Sequence, residues 1–201
     1  MKEAIFAEGS ERIAGTARAD AVADATAALI RERSAAGDLV SEAGIALFLK
    51  EHLSSPGTSM AGDCVTAVLA RLLLENEDLH ALRGADSQWY YSSRSMTGEY
   101  AEILLHAQEG PVRLIAETVR HNASVYRRPV PLDIFAEPPF NLAYRQVLDC
   151  LATMAEIEGY DDIGTTITSS SATYLYSTSH LEKEYAVMLA EWFDVGESEN
   201  P

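Results

Sequence analysis

The sequence predicts an α+β protein, mostly helical, made of two units that each carry a β-hairpin, with a C-terminal helix closing the chain. Three observations predict it. Two aromatic strands of matching character lie 85 residues apart, Trp89-Tyr90-Tyr91-Ser92-Ser93 and Tyr174-Leu175-Tyr176-Ser177-Thr178. Each is preceded by apolar residues at helical spacing and by a short extended segment. The length of 201 residues suits one large domain or two small ones. Self-similarity at a near-constant spacing points to one small unit duplicated.

Residues 1 to about 17 carry Gly9 and Gly15 without a sustained period, and read as a loosely attached arm or a short helix. From Ala19 to Arg33 the chain is Ala-rich, with Val22, Thr26, Leu29 and Ile30 on one helical face and Gly37 suited to a C-terminal cap. Asp38-Leu39-Val40 is a brief extended lead-in. Ser41 is a good N-cap for a helix over Glu42 to Leu53, and Ser54-Ser55-Pro56-Gly57 breaks the chain. A third helix is predicted from about Ser59 to Glu75, its apolar face formed by Cys64, Val65, Val68, Leu69, Leu72 and Leu73. Strands near Leu79 to Leu82 and Gln88 to Ser92, joined by the polar Arg83-Gly84-Ala85-Asp86, complete a hairpin.

The second unit follows a spacer, which divides the chain into residues 1–97 and 98–201. Gly98 to Gln108 reads as an extra linking helix. Pro111 suits the first turn of the next, which carries Leu114, Ile115, Thr118, Val119 and Asn122. Pro129-Val130-Pro131-Leu132-Asp133 is extended, because each Pro fixes its own φ and restricts its predecessor. Only a short helical turn fits before Pro138-Pro139. From Asn141, read as a cap, a long helix runs through Leu142, Val147, Leu148, Leu151, Met154 and Ile157 to Gly159. The second hairpin spans Ile163 to Ser177, with Ser169-Ser170-Ser171 as a flexible tip. A last amphipathic helix covers Leu181 to Phe193, and Gly196 to Pro201 is an acidic tail.

One helix, a short lead-in strand, two more helices and a hairpin is the element order of a winged helix-turn-helix. Over residues 19–93 and 111–178 the chain resembles a tandem winged-helix protein, on that order and on the paired aromatic strands. The resemblance implies that the third helix of each unit could enter a DNA major groove, with the hairpin on the backbone.

Charge bears directly on that implication. The net charge is −16; nine basic residues oppose fourteen acids up to Thr97, and six oppose seventeen from Gly98 onward. Nonspecific nucleic-acid binding is therefore unlikely, since such affinity rests on cations that displace counterions. The start of the first unit's third helix, Thr58-Ser59-Met60-Ala61-Gly62-Asp63, offers nothing for base edges. The second unit is better equipped. Arg113, Arg120, Arg127 and Arg128 precede its third helix, and Asn141, Tyr144 and Arg145 stand at that helix's start, forming a candidate anion or nucleic-acid contact. The competing expectation is that these arginines pair with nearby carboxylates.

Catalytic residues are not nominated, because no Gly-rich phosphate loop, HExxH or GxSxG occurs. Cys64 and Cys150 read as buried thiols, the five histidines are dispersed, and neither a metal nor a cofactor is expected. Without an apolar run of 18 residues or a secretory signal, the expectation is a cytoplasmic protein with no membrane partner.

The function expected is therefore a non-catalytic protein-interaction or regulatory module whose protein partner, by charge, would be basic. A DNA-binding regulator that reads through its second unit is the alternative, and an enzyme with an unrecognised site is the third class. Leu181, Tyr185, Met188, Leu189 and Trp192 share one stripe of the last helix. That stripe either packs within the chain on Tyr100, Ile103 and Leu104 or forms the seam of a homodimer.

Overall fold

The computed structural model describes residues 20–53 and 62–196. The N-terminal arm, the break at Ser54-Ser55-Pro56-Gly57, the helix start at Thr58 to Ala61 and the acidic tail beyond Gly196 lie outside the described residues. The fold is α+β and mostly helical. It divides into two compact units, residues 1–105 and 106–201, with the division eight residues beyond the boundary read from the sequence.

In the first unit, helix α1 covers residues 20–35. Val22, Ala23, Ala27 and Ile30 are buried along one face. The helix stops where Gly37 takes a φ of 84°. There the Gly37 amide donates to Ser34 and the Asp38 amide to Arg33, which satisfies two carbonyls left over at the helix end. Strand β1 (Val40–Ser41) leads into α2 (Glu42–Leu53). Ser41 caps α2 as expected, its Oγ accepting the Gly44 amide at 3.0 Å. Helix α3 (Gly62–Glu75) and strands β2 (Leu79–Arg83) and β3 (Gln88–Ser92) follow. The antiparallel sheet has the order β1-β3-β2. Ile45, Leu49, Leu69, Leu72, Leu79 and Tyr90 meet the α1 face to form the core. Helix α4 (Gly98–Glu109) comes after the hairpin.

The second unit opens with α5 (Pro111–His121), which runs into a π-helical turn at Asn122–Tyr126. Strand β4 (Val130–Pro131), a 3-10 turn (Leu132–Ala136), α6 (Tyr144–Met154), β5 (Ile163–Ile167) and β6 (Thr173–Ser177) follow. The sheet order is β4-β6-β5, matching the first unit. Helix α7 (Lys183–Glu191) ends in a second π-helical turn at Trp192–Gly196.

The strand registers fix the correspondence between the copies. Val40 pairs with Tyr90 and Val130 with Leu175, so Tyr91 and Tyr176 hold equivalent places on the last strand. The spacing between copies drifts because residues were gained and lost at loops and turns: it is 90 at Val40 and Val130 but 84 at Leu79 and Ile163, so the second unit is shorter between its first strand and its hairpin. Four residues close the first hairpin and five the second, which moves the offset from 84 to 85. Arg31 precedes Val40 by nine residues and Arg120 precedes Val130 by ten; the extra residue falls at the π-helical turn, as a one-residue insertion into a helix does.

Four expectations need correction. Asn141 is not the cap of α6: it sits at φ 51°, and the cap position is Ala143, which makes no side-chain bond. Helix α6 ends at Met154, well before Gly159. Leu181 precedes α7 and lies in the interior, 3% exposed. Finally, α4, expected to be a spacer, also packs on the hairpin before it, as α7 does, and the boundary between the units falls within it. Met96 and Ala101 pack with Tyr91, and Leu181 and Ala186 pack with Tyr176, at the same offset of 85. The turns agree as well: the amides of Met96 and Leu181 donate to Ser92 and Ser177, and those of Ala101 and Ala186 to Thr97 and Glu182. The duplicated unit therefore includes a helix after its hairpin.

Candidate functional site

Each unit is fastened by a guanidinium of its first helix. Arg31 grips Asp78 with two bonds of 2.8 Å, from Nε and Nη2, and its Nη2 also reaches Asn76 Oδ1. Asp78 lies just ahead of β2. It accepts the Ser92 hydroxyl at 2.9 Å from the end of β3, while its carbonyl accepts the Ser93 amide. Arg120 repeats this with Asp162, adding Glu117 Oε1 at 2.9 Å and the Gly159 carbonyl. Ser177 donates to Asp162 and the Thr178 amide to its carbonyl, so hydroxyl and amide take the places of Ser92 and Ser93. The Tyr160 ring centroid lies 5.5 Å from the Arg120 guanidinium.

These arrangements are electrostatically closed. The Arg31 guanidinium holds the Asp78 carboxyl well below the usual carboxylate range, and burial opposes it only in part. Arg120 lowers Asp162 in the same way and is itself raised by that bond. Arg120, nominated for anion contact, is thus a structural bolt. Arg31, Asp78 and Asp162 were missed as a set. The available signal was an arginine in each first helix and an aspartate just before each hairpin, in both copies.

Three more of the nominated cations are engaged too. Arg113 Nε meets Glu109 at 2.9 Å. Arg127, in a left-handed conformation, donates to the His180 carbonyl at 2.8 Å. Arg128 bonds Asn122 and lies 5.0 Å from the Tyr126 ring centroid. Asn141 reaches only the Pro139 carbonyl. Tyr144 and Arg145 are exposed at the start of α6, followed on its outer side by Leu148 and Asp149. Four of the five nominated arginines serve local contacts.

Helix α7 divides by side-chain size. Ala186 and Ala190 are buried, and Leu189 is partly buried. Tyr185, Met188 and Trp192, at 47%, 55% and 58% exposure, recur at spacings of three and four and face outward. Of the proposed seam, these three remain available. The serine tip is anchored to the same segment: the Ser169 amide and hydroxyl donate to Glu191, and the Thr168 and Ser170 hydroxyls to Asp194. It is therefore not a free loop end.

Cys150 is a buried thiol, and burial pushes its pKa up, away from a reactive thiolate. Burial also pushes the Tyr90 phenol up to about 12. Among the described residues, no three His, Cys, Asp or Glu side chains group as metal ligands. Among those residues, too, no helix is long and apolar enough to cross a membrane.

Comparison with known proteins places this duplicated architecture in a family. The YdhW C-terminal domain family matches residues 109–198, the stretch from the end of α4 through the described second unit. Uncharacterized protein YdhW of Escherichia coli (strain K12) is 30% identical over 182 residues, covering 89% of this chain and 81% of that one. No solved structure matches the chain. With that identity carried across both units, the chain belongs to the YdhW family.

Proposed function

We propose that this chain is a non-catalytic protein-interaction or regulatory module, built from two winged-helix-like units and acting in the cytoplasm. The winged-helix reading is supported by helix, strand, helix, helix and hairpin in order, with the short first strand paired to the last. In the second unit the middle helix is reduced to a 3-10 turn.

One observation carries the functional reading: the cations that a phosphate reader would present are used inside the unit, while apolar side chains are presented instead. Arg113, Arg120, Arg127 and Arg128 all have partners within the unit. Tyr185, Met188 and Trp192 stand outward on α7, in a chain of net charge −16 that favours a basic partner surface. The same stripe offers a seam for a homodimer. A DNA reader would have to combine Tyr144 and Arg145, exposed at the start of α6, with Arg127 and Arg128, which are exposed beside their local partners.

Titration with random duplex DNA at physiological salt tests the proposal, and no measurable affinity is expected. Micromolar binding with a steep salt slope, weakened by Arg127→Ala with Arg145→Ala, would replace it with the DNA-reading alternative. Sedimentation of the wild type tests the seam. A single species near 21.9 kDa removes the homodimer, and a species of twice that mass that Tyr185→Ala with Trp192→Ala converts to folded monomer supports it.

A further inference from the structure

The duplication repeats a groove as well as a core. In the first unit a cavity of about 330 Å³ runs along β1, lined by Arg33, Leu39, Ser41, Leu47, Phe48 and Trp89 among others. In the second, a cavity of about 270 Å³ runs along β4, lined by Asn122, Pro129, Pro131, Ile134, Tyr174 and Phe193 among others. The ladders show that these are the same place. Ser41 pairs with Trp89 where Pro131 pairs with Tyr174, and Val40 and Val130 both lie on the floor.

The two grooves differ in how they are finished. In the second unit the π-helical turn after α7 supplies Phe193 as a wall. At the offset of 85 that relates α4 to α7, the place of Phe193 in sequence falls to Gln108, an exposed polar residue beyond the end of the first unit. Its groove is left with Leu47 at 62% exposure beside Phe48 and Trp89. Each groove also has one guanidinium, Arg33 in the first and Arg128 in the second. The side chain of Arg33 is 59% exposed, and its paired carboxylate, Asp38, is 3.8 Å away. In the finished groove the aromatic wall is followed in sequence by an acid, Asp194, which accepts the Thr168 and Ser170 hydroxyls; in the first unit the polar group at that end is the Arg33 guanidinium.

We infer that the first unit's groove receives a segment of a partner protein in which an aromatic side chain is followed by a carboxylate, taking the place that Phe193 fills in the second unit. The ring covers Leu47 and Trp89, and the carboxylate meets Arg33. Glu51, the acid lining the same groove, limits the segment to a single carboxylate on the Arg33 side. This deepens the interaction reading and rests on it. DNA binding in the titration above would remove that reading, whereas failure of the groove alone would leave it standing.

The test uses the full, ¹⁵N-labelled chain and a synthetic peptide with the sequence of residues 190–196, Ala-Glu-Trp-Phe-Asp-Val-Gly. Saturable shifts are expected at the Trp89 indole N–H and the amides of Val40, Gly44 and Leu47. Leu47→Asp, at an exposed site, and independently Arg33→Glu should each weaken binding about tenfold or more with the rest of the spectrum unchanged. A peptide with alanine in place of its Phe should not bind. Absence of saturable shifts at these signals overturns the inference, and so do shifts confined to Val130, Ile134 and Tyr174, which would mean competition with Phe193. Removal of residues 1–19 provides a further check. If it alone moves the same first-unit signals, the groove is filled by the chain's own arm and the partner is excluded.

Discussion

The two units bury the same residues at their centres and differ at their edges. Ile45 and Phe135 fill one position with no exposure and Ala101 and Ala186 another, while Tyr91 and Tyr176, both buried, fill a third. Around them, the 12-residue α2 is replaced by a five-residue 3-10 turn, and one hairpin loop gains a residue. The difference teaches which parts hold the unit together. The second helix is expendable, because Phe135 occupies the core from a single turn. The arginine of the first helix is not, because its carboxylate ties helix and both hairpin strands at one point.

Breaking that tie should have the largest effect. Asp162→Ala removes two Arg120 bonds and the Ser177 bond, and leaves a partly buried guanidinium short of acceptors. A loss of about 3 kcal/mol is expected by urea denaturation, and Asp78→Ala should cost about the same. A cost below about 1 kcal/mol for Asp78→Ala alone would show that the first unit does not depend on its copy of the tie.

Acid should act on the same pair. Both carboxylates titrate lower in the folded chain than in the unfolded one, so their contribution is complete above the unfolded value of about 4. It is lost as pH falls through the folded values. Stability measured from pH 5 downward should therefore decline from about pH 4, and Asp78→Asn with Asp162→Asn should flatten the decline. An unchanged slope in the double variant would place the acid sensitivity elsewhere.

A smaller effect distinguishes the residues facing the two tyrosines. His80 pairs with Tyr91 across the first hairpin, its ring 5.3 Å away, and Gly164 pairs with Tyr176 across the second. A Cβ at Gly164 would come within 2.6 Å of Tyr176 Cζ, so the ring lies over bare backbone. Gly164→Ala should cost about 1–3 kcal/mol by displacing the ring. His80→Gly should cost about 0.5–1 kcal/mol, since it removes one cross-strand contact and no support for Tyr91. Equal costs in thermal melts would contradict the contrast.

Periodicity and turn chemistry made most of the elements legible in advance. The α1 face, the Ser41 cap, the stop at Gly37 and both hairpins follow from local rules that need no partner. What was hidden depends on contacts between residues far apart in the chain. The carboxylates that follow α3 and α6 carry no local sign of a partner, yet Asp78 meets an arginine 47 residues away and Asp162 one 42 residues away. Asn141 looks like a cap because asparagine favours caps, but it also tolerates the left-handed conformation, and here it turns the chain instead. The repeat was read as ending at the hairpin. Helices α4 and α7 share Glu-Tyr-Ala at 99–101 and 184–186 and a leucine at 104 and 189, and insertions elsewhere blur the spacing. The candidate basic site was legible as composition but not as a surface, since pairing decides whether an arginine faces outward.

The smallest effect belongs to the hairpin tips. The first closes on itself, with the Gly84 amide on the Ser87 carbonyl at 2.9 Å. The second is held from outside, the Ser169 amide by Glu191 at 2.7 Å and the Thr168 and Ser170 hydroxyls by Asp194. Those hydroxyl bonds, Ser170 first and then Thr168, lower the Asp194 pKa, so the hold is full above the ordinary carboxylate range and loosens as pH falls through the lowered value. Glu191→Gln with Asp194→Asn should leave the global denaturation midpoint in place, because the tip contributes nothing to either core. Amide exchange should respond locally instead, speeding up about tenfold at Ser169 and Ala172 while Gly84 keeps its rate. The same acceleration at Gly84 would mean that the two tips move together and that α7 does not act on the second hairpin alone. No acceleration at Ser169 would mean that the loop's own bonds, Ser171 amide to Thr168 carbonyl and Ala172 amide to Thr168 Oγ1, already suffice.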